Sequence, residues 1–190
     1  MPVKRSIGRC IAAGLALAAA SALAMQVAGV TLDDKASVGG KELVLNGAGL
    51  RTRAIFKVYV AGLYLPAKTA DAQAALAASA RRIELHLLRN LSADQLLDAL
   101  DDGLKENNSE AELAAIKPQV TQLASIMRAF KQVKEGDVVG LEYVDGTTRV
   151  LLGSEARGTI AGEPFNRALM KVWLGEHPVQ SDLKKALLGG

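Results

Sequence analysis

Apolar and polar positions alternate most clearly between Ala54 and Leu65, which predicts the longest strand of the chain. One face of this strand would carry Ile55, Lys57, Tyr59, Ala61, Leu63 and Leu65, and the other would carry Phe56, Val58, Val60, Gly62 and Tyr64. Because both faces are mostly apolar, we expect other parts of the chain to cover the strand on both sides. Pro66 is expected to end it, since proline cannot donate to the ladder.

Shorter strands are predicted before and after this segment. They cover residues 30–32, 42–45, 82–88, 137–144, 147–152 and about 157–160. The last three form a meander, because Asp145-Gly146 is a strong signal for a two-residue hairpin turn. Gly39-Gly40 is expected to connect the first two strands, and Gly47-Ala48-Gly49 is expected in a loop ahead of the longest one.

Two capping boxes predict where long helices begin. Ser92 with Gln95, and Ser109 with Glu112, have the spacing at which two side chains satisfy free backbone amides reciprocally. Leucines at helical spacing follow Ser92. The helix after Ser109 is expected to be interrupted at Pro118 and to continue beyond it.

Three other helices are predicted: an alanine-rich one over residues 70–80, one from Pro164 to about Gly175, and a last one from Ser181. Strands, a helical insertion, a meander and short helices thus follow one another in separate runs. Such segregation predicts an α+β domain, with a largely antiparallel sheet and helices packed on one side.

Residues 1–24 have the form of a secretory signal peptide. Its basic front, apolar run and small-residue cleavage site are Lys4-Arg5 with Arg9, residues 11–20, and Ala22-Leu23-Ala24. We expect cleavage after Ala24 or Ala28, with a retained N-terminal anchor as the alternative. The product, one domain over residues 25–190, would reside in the periplasm without a membrane-spanning segment.

Removal of this segment changes the charge balance. The full chain has 23 basic and 20 acidic residues, and the signal holds three basic and no acidic ones, so the remainder carries 20 of each. No charge run remains that would favour binding to nucleic acid or to an anionic membrane. The single cysteine, Cys10, also lies in the signal, so we expect no disulfide and no thiol chemistry.

Most catalytic and metal-binding motifs are missing from the sequence. Gly47-Ala48-Gly49 precedes a strand rather than a helix, which does not fit a phosphate-binding loop. The only histidines, His86 and His177, have no cysteine partners, so we expect neither a metal site nor a cofactor. Ser154 and Ser181 have no His and Asp partners at motif spacing.

The remaining candidates for a site lie at the start of the longest strand: Arg51, Arg53, Lys57 and Tyr59. Arginine presents a planar fork that fits a carboxylate, and a tyrosine hydroxyl can add a third donor. If Tyr59 points inward, apolar walls and a cationic end would form a pocket for an amphipathic acid. The alternative is structural: Arg51 or Arg53 would cap strand carbonyls, and Tyr59 would be an ordinary core residue.

Two segments of the chain resemble a known family. They are "LNGAGLRTRAIFKVYVAGLYL", residues 45–65, and "GEHPVQSDLKKALLG", residues 175–189. Both resemble the chalcone isomerase superfamily, in particular its bacterial members that carry a signal peptide, and the similarity runs in order over about residues 30–189. The resemblance implies an open-faced β-sandwich, in which a helical layer covers a large antiparallel sheet and a ligand cleft lies between them.

The resemblance also implies what this cleft could bind. Some members close the heterocycle of chalcones, whereas related plastid proteins hold a fatty-acid carboxylate with an arginine and a tyrosine. Those residues correspond to Arg51 and Tyr59, but the loop between them is shorter in this chain, so Arg53 could take the arginine's place. We therefore expect a small hydrophobic ligand such as a fatty acid, with Lys57 as a further polar contact. Candidate cleft walls are Ile55, Leu63, Leu65, Leu96, Leu100 and Val172.

The catalytic residues of the enzymes match less well. Their strand threonine corresponds to Tyr59, and their helix tyrosine and asparagine correspond to Leu96 and Gly103. A further serine or threonine falls at about Val172. We therefore expect little or no chalcone cyclisation. An intramolecular lyase or isomerase with a different polar clamp, and a structural role with an empty cleft, stay open as alternatives.

Overall fold

A seven-stranded antiparallel sheet forms the centre of the computed structural model, which describes residues 24–190. The predicted signal peptide, with Cys10, lies outside the described residues except for Ala24. The strands are β1 (Met25–Val27), β2 (Val30–Leu32), β3 (Lys35–Val38), β4 (Lys41–Arg53), β5 (Phe56–Leu65), β6 (Ala80–Leu87), β7 (Leu91–Ser92), β8 (Gln132–Val133), β9 (Val138–Val144), β10 (Thr147–Leu152) and β11 (Glu155–Ala161). The large sheet has the spatial order β11-β10-β9-β6-β5-β4-β3, while β1–β2 and β7–β8 form two small ribbons.

Helices cover one face of the large sheet. Within residues 24–190 they are α1 (Ala72–Ala77), α2 (Ala93–Asn107), α3 (Glu110–Arg128), α4 (Glu163–Leu174) and α5 (Ser181–Leu187). The main core joins this layer to the sheet and contains Phe165 and Trp173 of α4 and Leu63 of β5, each at most 1% exposed. A smaller core on the opposite face contains Leu32 of β2 and Tyr64 of β5. The α+β prediction is confirmed, and β5 is covered on both sides as expected.

Local sequence signals set several of these elements. Asp145 and Gly146, with φ of 50° and 76°, form the predicted two-residue turn between β9 and β10. Both predicted capping boxes are also present, with Ser92 capping α2 and Ser109 capping α3. These turns and caps use contacts between residues close in sequence, so the sequence alone is sufficient to predict them.

The predicted loop at Gly47-Ala48-Gly49 is wrong, because these residues lie inside β4. Their glycines let α5 approach the strand closely. A Cβ at Gly47 would lie 2.1 Å from the carbonyl oxygen of Ala186, and a Cβ at Gly49 would lie 2.8 Å from the Cβ of Ala186. The glycines therefore allow helix–strand contact rather than a turn.

The tip of the β4–β5 hairpin also differs from the prediction. β5 begins at Phe56, and Ala54 and Ile55 form the turn that precedes it. The side chain of Ile55 points into solvent and is 89% exposed. The prediction of Ile55 as a cleft wall is therefore wrong, because a residue in this turn does not follow the alternation of the strand.

A β-bulge near the tip sets which side chains share a face. Tyr59 pairs with Arg51, but Lys57 pairs with the next residue, Thr52, so that Val58 is the extra residue of β5. The bulge turns Lys57 outward, where it is exposed. The expected alternation of faces therefore holds only from Tyr59 to the end of the strand.

The expected interruption at Pro118 is absent, and α3 is continuous from Glu110 to Arg128. Proline removes one helical hydrogen bond, which would have been made to the carbonyl of Ala114. Both Pro118 and Ala114 lie on the exposed side of α3, where water can bind that carbonyl. The helix can therefore continue through the proline.

Gly47→Ala should destabilise the fold by about 1–3 kcal/mol, because the added methyl group overlaps backbone atoms of α5. Gly140→Ala is the matched control: Gly140 also lies in a strand, but its Cβ would meet the Cβ of Leu151 at an ordinary 3.5 Å. Chemical denaturation measures the free energy of unfolding of both variants. Wild-type stability in Gly47→Ala would show that α5 does not pack this closely.

Candidate functional site

A cavity of about 810 Å³ opens between the sheet and the helical layer. Residues of β5, β6 and β9 line it from the sheet, and residues of α2, α3 and α4 line it from the helices. Its apolar lining includes Val58, Leu85, Leu96, Leu100, Met127, Val139 and Leu141. A cavity of this size with mostly apolar walls and a few polar groups is typical of small-molecule sites.

Tyr59 reaches the cavity from β5, and only 7% of its surface is exposed. The indole Nε1 of Trp173, on α4, donates a hydrogen bond to the Tyr59 hydroxyl oxygen over 3.0 Å. Because an indole nitrogen can only donate, the phenol must accept in this bond. Within residues 24–190 the hydroxyl hydrogen of Tyr59 has no acceptor, so it is available to a ligand in the cavity.

The environment of Tyr59 keeps its hydroxyl protonated. Burial raises the pKa of Tyr59 above its usual value of 10.0, and the hydrogen bond from Trp173 and the positive charge of Arg51 offset part of this rise. The hydroxyl is therefore a neutral hydrogen-bond donor at physiological pH.

Arg51 lies opposite Tyr59 in the β4–β5 ladder and lines the same cavity. Its Nη1 donates to the carbonyl oxygen of Thr52 over 2.5 Å and to Oε1 of Gln180 over 3.3 Å. Gln180 also accepts from the N–H of Thr52 over 2.9 Å and donates to the carbonyl of Leu50 over 3.3 Å. These bonds hold the guanidinium against the strand. Within residues 24–190 they use only Nη1, so Nε and Nη2 can donate to an anion.

Some of the other predicted site residues line the cavity and some do not. Those that line it are Arg53, Leu96, Leu100 and Val172. Those that do not are Lys57, Ile55, Leu63 and Leu65. Lys57 and Ile55 are exposed because of the bulge and the turn, and Leu63 and Leu65 are packed in the main core. Their predicted places at the cleft are therefore wrong, and ligand binding by the other residues stays a prediction.

Trp173 and Gln180 are the two residues of this arrangement that sequence patterns did not indicate. Trp173 lies two residues before the segment 175–189, and Gln180 lies inside it. Neither residue belongs to a motif with local meaning. The resemblance of that segment to a family could have indicated Gln180, but no sequence signal indicated Trp173.

Charged side chains of both signs line the cavity. The cations are Arg51, Arg53 and Arg89, and the anions are Asp98, Asp102 and Glu106. The three carboxylates recur every four residues, so they share one face of α2. Arg51 and Arg53 come from the β4–β5 hairpin, and Arg89 comes from the segment just after β6. An anionic head group would therefore be attracted to the sheet side and repelled by α2.

Two other kinds of feature are not found in the part of the chain that the structure describes. No group of three or more His, Cys, Asp or Glu side chains there could hold a metal ion. None of the helices in residues 24–190 is long and apolar enough to cross a membrane.

A family model for chalcone isomerase-like proteins matches residues 24–189. The chain belongs to the chalcone isomerase-like family. Among solved structures, a fatty-acid binding protein from Arabidopsis thaliana matches with a TM-score of 0.66 at 15% sequence identity, over 84% of this chain and 92% of that chain. At this identity the match shows the shared fold, and the predicted open-faced β-sandwich is confirmed. A comparison with curated protein sequences gave no significant match.

The raised pKa of Tyr59 predicts a loss of stability at alkaline pH. An unfolded phenol ionises near pH 10.0, whereas burial opposes ionisation of Tyr59 in the folded protein. The stabilisation from the neutral phenol is therefore complete below about pH 10 and is lost as the pH rises through the folded pKa. Burial raises the pKa of Tyr64 as well, so it adds to the same decline.

Tyr59→Phe removes one of these two groups and should make the decline in unfolding free energy above pH 10 less steep. Denaturant titrations at a series of alkaline pH values measure this, with Tyr64→Phe as the companion variant. An unchanged decline in Tyr59→Phe would mean that the folded protein does not resist ionisation of Tyr59.

Proposed function

We propose that this chalcone isomerase-like protein is a periplasmic binder of a small amphipathic carboxylate, such as a fatty acid, and does not catalyse a reaction. The predicted signal peptide supports the location. The observation that carries the proposal is the hydroxyl of Tyr59, which has no acceptor for its hydrogen within residues 24–190. It lies beside the guanidinium of Arg51 in the wall of an apolar cavity. The Arabidopsis protein with the same fold is a fatty-acid binding protein, which supports this class of ligand.

The head group and the chain of such a ligand would contribute different parts of the binding free energy. A hydrogen bond to a charged group contributes about 1.5–3 kcal/mol. Each methylene group removed from water contributes about 0.8 kcal/mol. Arg51 and Tyr59 would therefore fix the orientation of the ligand, and the length of its apolar chain would set most of the affinity.

The cavity wall gives less support to an intramolecular lyase or isomerase. The resemblance would put a catalytic tyrosine and asparagine at Leu96 and Gly103, which have no polar side chain. A Cβ at Gly103 would lie 2.8 Å from Cγ1 of Val172, so α2 and α4 leave no room there for a larger residue. An enzyme would have to rely on Arg51 to stabilise an oxyanion and on Tyr59 to donate a proton.

Arg51→Ala should weaken the binding of a long-chain fatty acid by about 10- to 150-fold, the equivalent of one charged hydrogen bond. Binding of the alcohol with the same chain length should change little, because the alcohol carries no charge for the guanidinium to attract. Calorimetric titration of both ligands measures the difference.

Lys57→Ala is the matched control for this test, since Lys57 is a cation on the same hairpin but does not line the cavity. It should leave the affinity for both ligands unchanged. If Arg51→Ala weakens the binding of the acid and of the alcohol equally, or changes the binding of neither, the assignment of Arg51 to the carboxylate is incorrect.

Native mass spectrometry of the protein purified from its own host separates the alternatives. A retained carboxylic acid supports the proposal. An empty protein that turns over a chalcone-like substrate, with activity lost in Tyr59→Phe, would favour the enzyme. An empty protein without activity would favour a structural role.

A further inference from the structure

Two large apolar side chains protrude from the tip of the β4–β5 hairpin. Ile55 is 89% exposed and Phe56 is 53% exposed. Met25, on β1, is the one other large apolar side chain in residues 24–190 with comparable exposure, at 41%. Exposed apolar side chains that cluster on a surface mark candidate contact sites for a partner or a membrane.

Basic residues surround this apolar pair. Arg53 and Lys57 flank it in sequence, and the guanidinium carbon of Arg89 lies 4.8 Å from the ring centre of Phe56. None of the salt bridges within residues 24–190 involves these three cations. Residues 43–70 contain no Asp or Glu. The hairpin tip itself therefore carries basic and no acidic side chains, and the fold adds Arg89 to it although the linear sequence shows no charge run.

The tip is continuous with the mouth of the cavity. Arg53, Phe56 and Arg89 belong to the tip and also line the cavity. A surface bound to the tip would therefore lie next to the cavity wall. On the other side of the mouth, Asp98 and Asp102 of α2 would be repelled by an anionic surface, which leaves the hairpin side as the one that faces it.

We propose that residues 53–57, together with Arg89, form a docking tip that binds the surface of an anionic lipid bilayer. Ile55 and Phe56 would enter the interfacial region, and the three cations would contact anionic head groups. A small apolar anchor combined with basic residues gives the two signals that reversible membrane binding requires. This proposal extends the proposed function, because it suggests that the ligand comes from a bilayer. Vesicle binding can nevertheless be measured without knowing the ligand.

The test is flotation of the purified full chain with vesicles of phosphatidylcholine alone or mixed with phosphatidylglycerol. Wild type should bind the anionic vesicles more strongly, and added salt should weaken the binding. Ile55→Asp should lower the partition coefficient at least about tenfold, because the apolar anchor is lost. Lys57→Gln should lower it about fivefold, because one cation near the surface is lost.

Matched controls are available for both substitutions. Met25→Asp changes the other exposed apolar side chain, and Lys68→Gln removes an exposed lysine at the opposite end of β5. Neither should alter vesicle binding. All variants share the same N-terminal residues, so any contribution of residues 1–23 is common to them. Ile55 and Lys57 are exposed and do not line the cavity. Both variants should therefore keep the fold and the affinity for a soluble fatty acid.

Arg51→Ala separates this proposal from the proposed function. This variant should bind anionic vesicles like wild type even if its affinity for the fatty acid falls. An unchanged affinity of the variant for the fatty acid would contradict only the assignment of Arg51 to the carboxylate. The docking proposal is overturned if wild type does not prefer anionic vesicles. It is also overturned if Ile55→Asp binds them as well as Met25→Asp does.

Discussion

The hydrogen bond from Trp173 Nε1 to the hydroxyl oxygen of Tyr59 connects the helical layer to the sheet at the wall of the cavity. Both side chains are almost completely buried, so this bond satisfies the indole N–H, which could not reach water. Because the indole can only donate, the phenol oxygen accepts in this bond, and the hydroxyl hydrogen stays available for an acceptor in the cavity. This contact between α4 and β5, together with the place of Tyr59 in the cavity wall, leaves the phenol able to donate to a ligand.

The second requirement is a fixed positive charge beside that donor. The bulge in β5 pairs Arg51 with Tyr59, and Gln180 holds the guanidinium through bonds to the side chain of Arg51 and to the backbone of Thr52. An arginine that is already held loses little further side-chain entropy when a carboxylate binds. The helix α5 that begins next to Gln180 can approach β4 only because Gly47 and Gly49 have no side chains. The close packing of α5 on β4 therefore also places Gln180 where it holds the guanidinium of Arg51.

The parts of the fold that sequence predicted correctly are those that depend on neighbouring residues, such as the Asp145-Gly146 turn and the capping boxes at Ser92 and Ser109. The predictions fail where packing between residues that are distant in sequence determines the structure. The glycines before Arg51 read as a loop in the sequence, because their partner helix α5 lies more than a hundred residues away in the chain. Alternation predicts Ile55 in the cleft wall, because it does not show where a turn or a bulge begins. For the site, residue types and the family resemblance indicated Arg51 and Tyr59, but Trp173 and Gln180 act through contacts that no local pattern encodes.

The most direct test of the central claim is the pKa of the carboxyl group of a bound fatty acid, measured by NMR with a ¹³C-labelled carboxyl carbon. An opposite charge and hydrogen bonds to the ionised form lower a carboxyl pKa, whereas burial alone raises it. If Arg51 and Tyr59 hold the carboxylate, the bound acid should titrate at a lower pH than the same acid free in solution. A bound carboxyl group that titrates at the same pH as the free acid, or at a higher pH, would contradict the account.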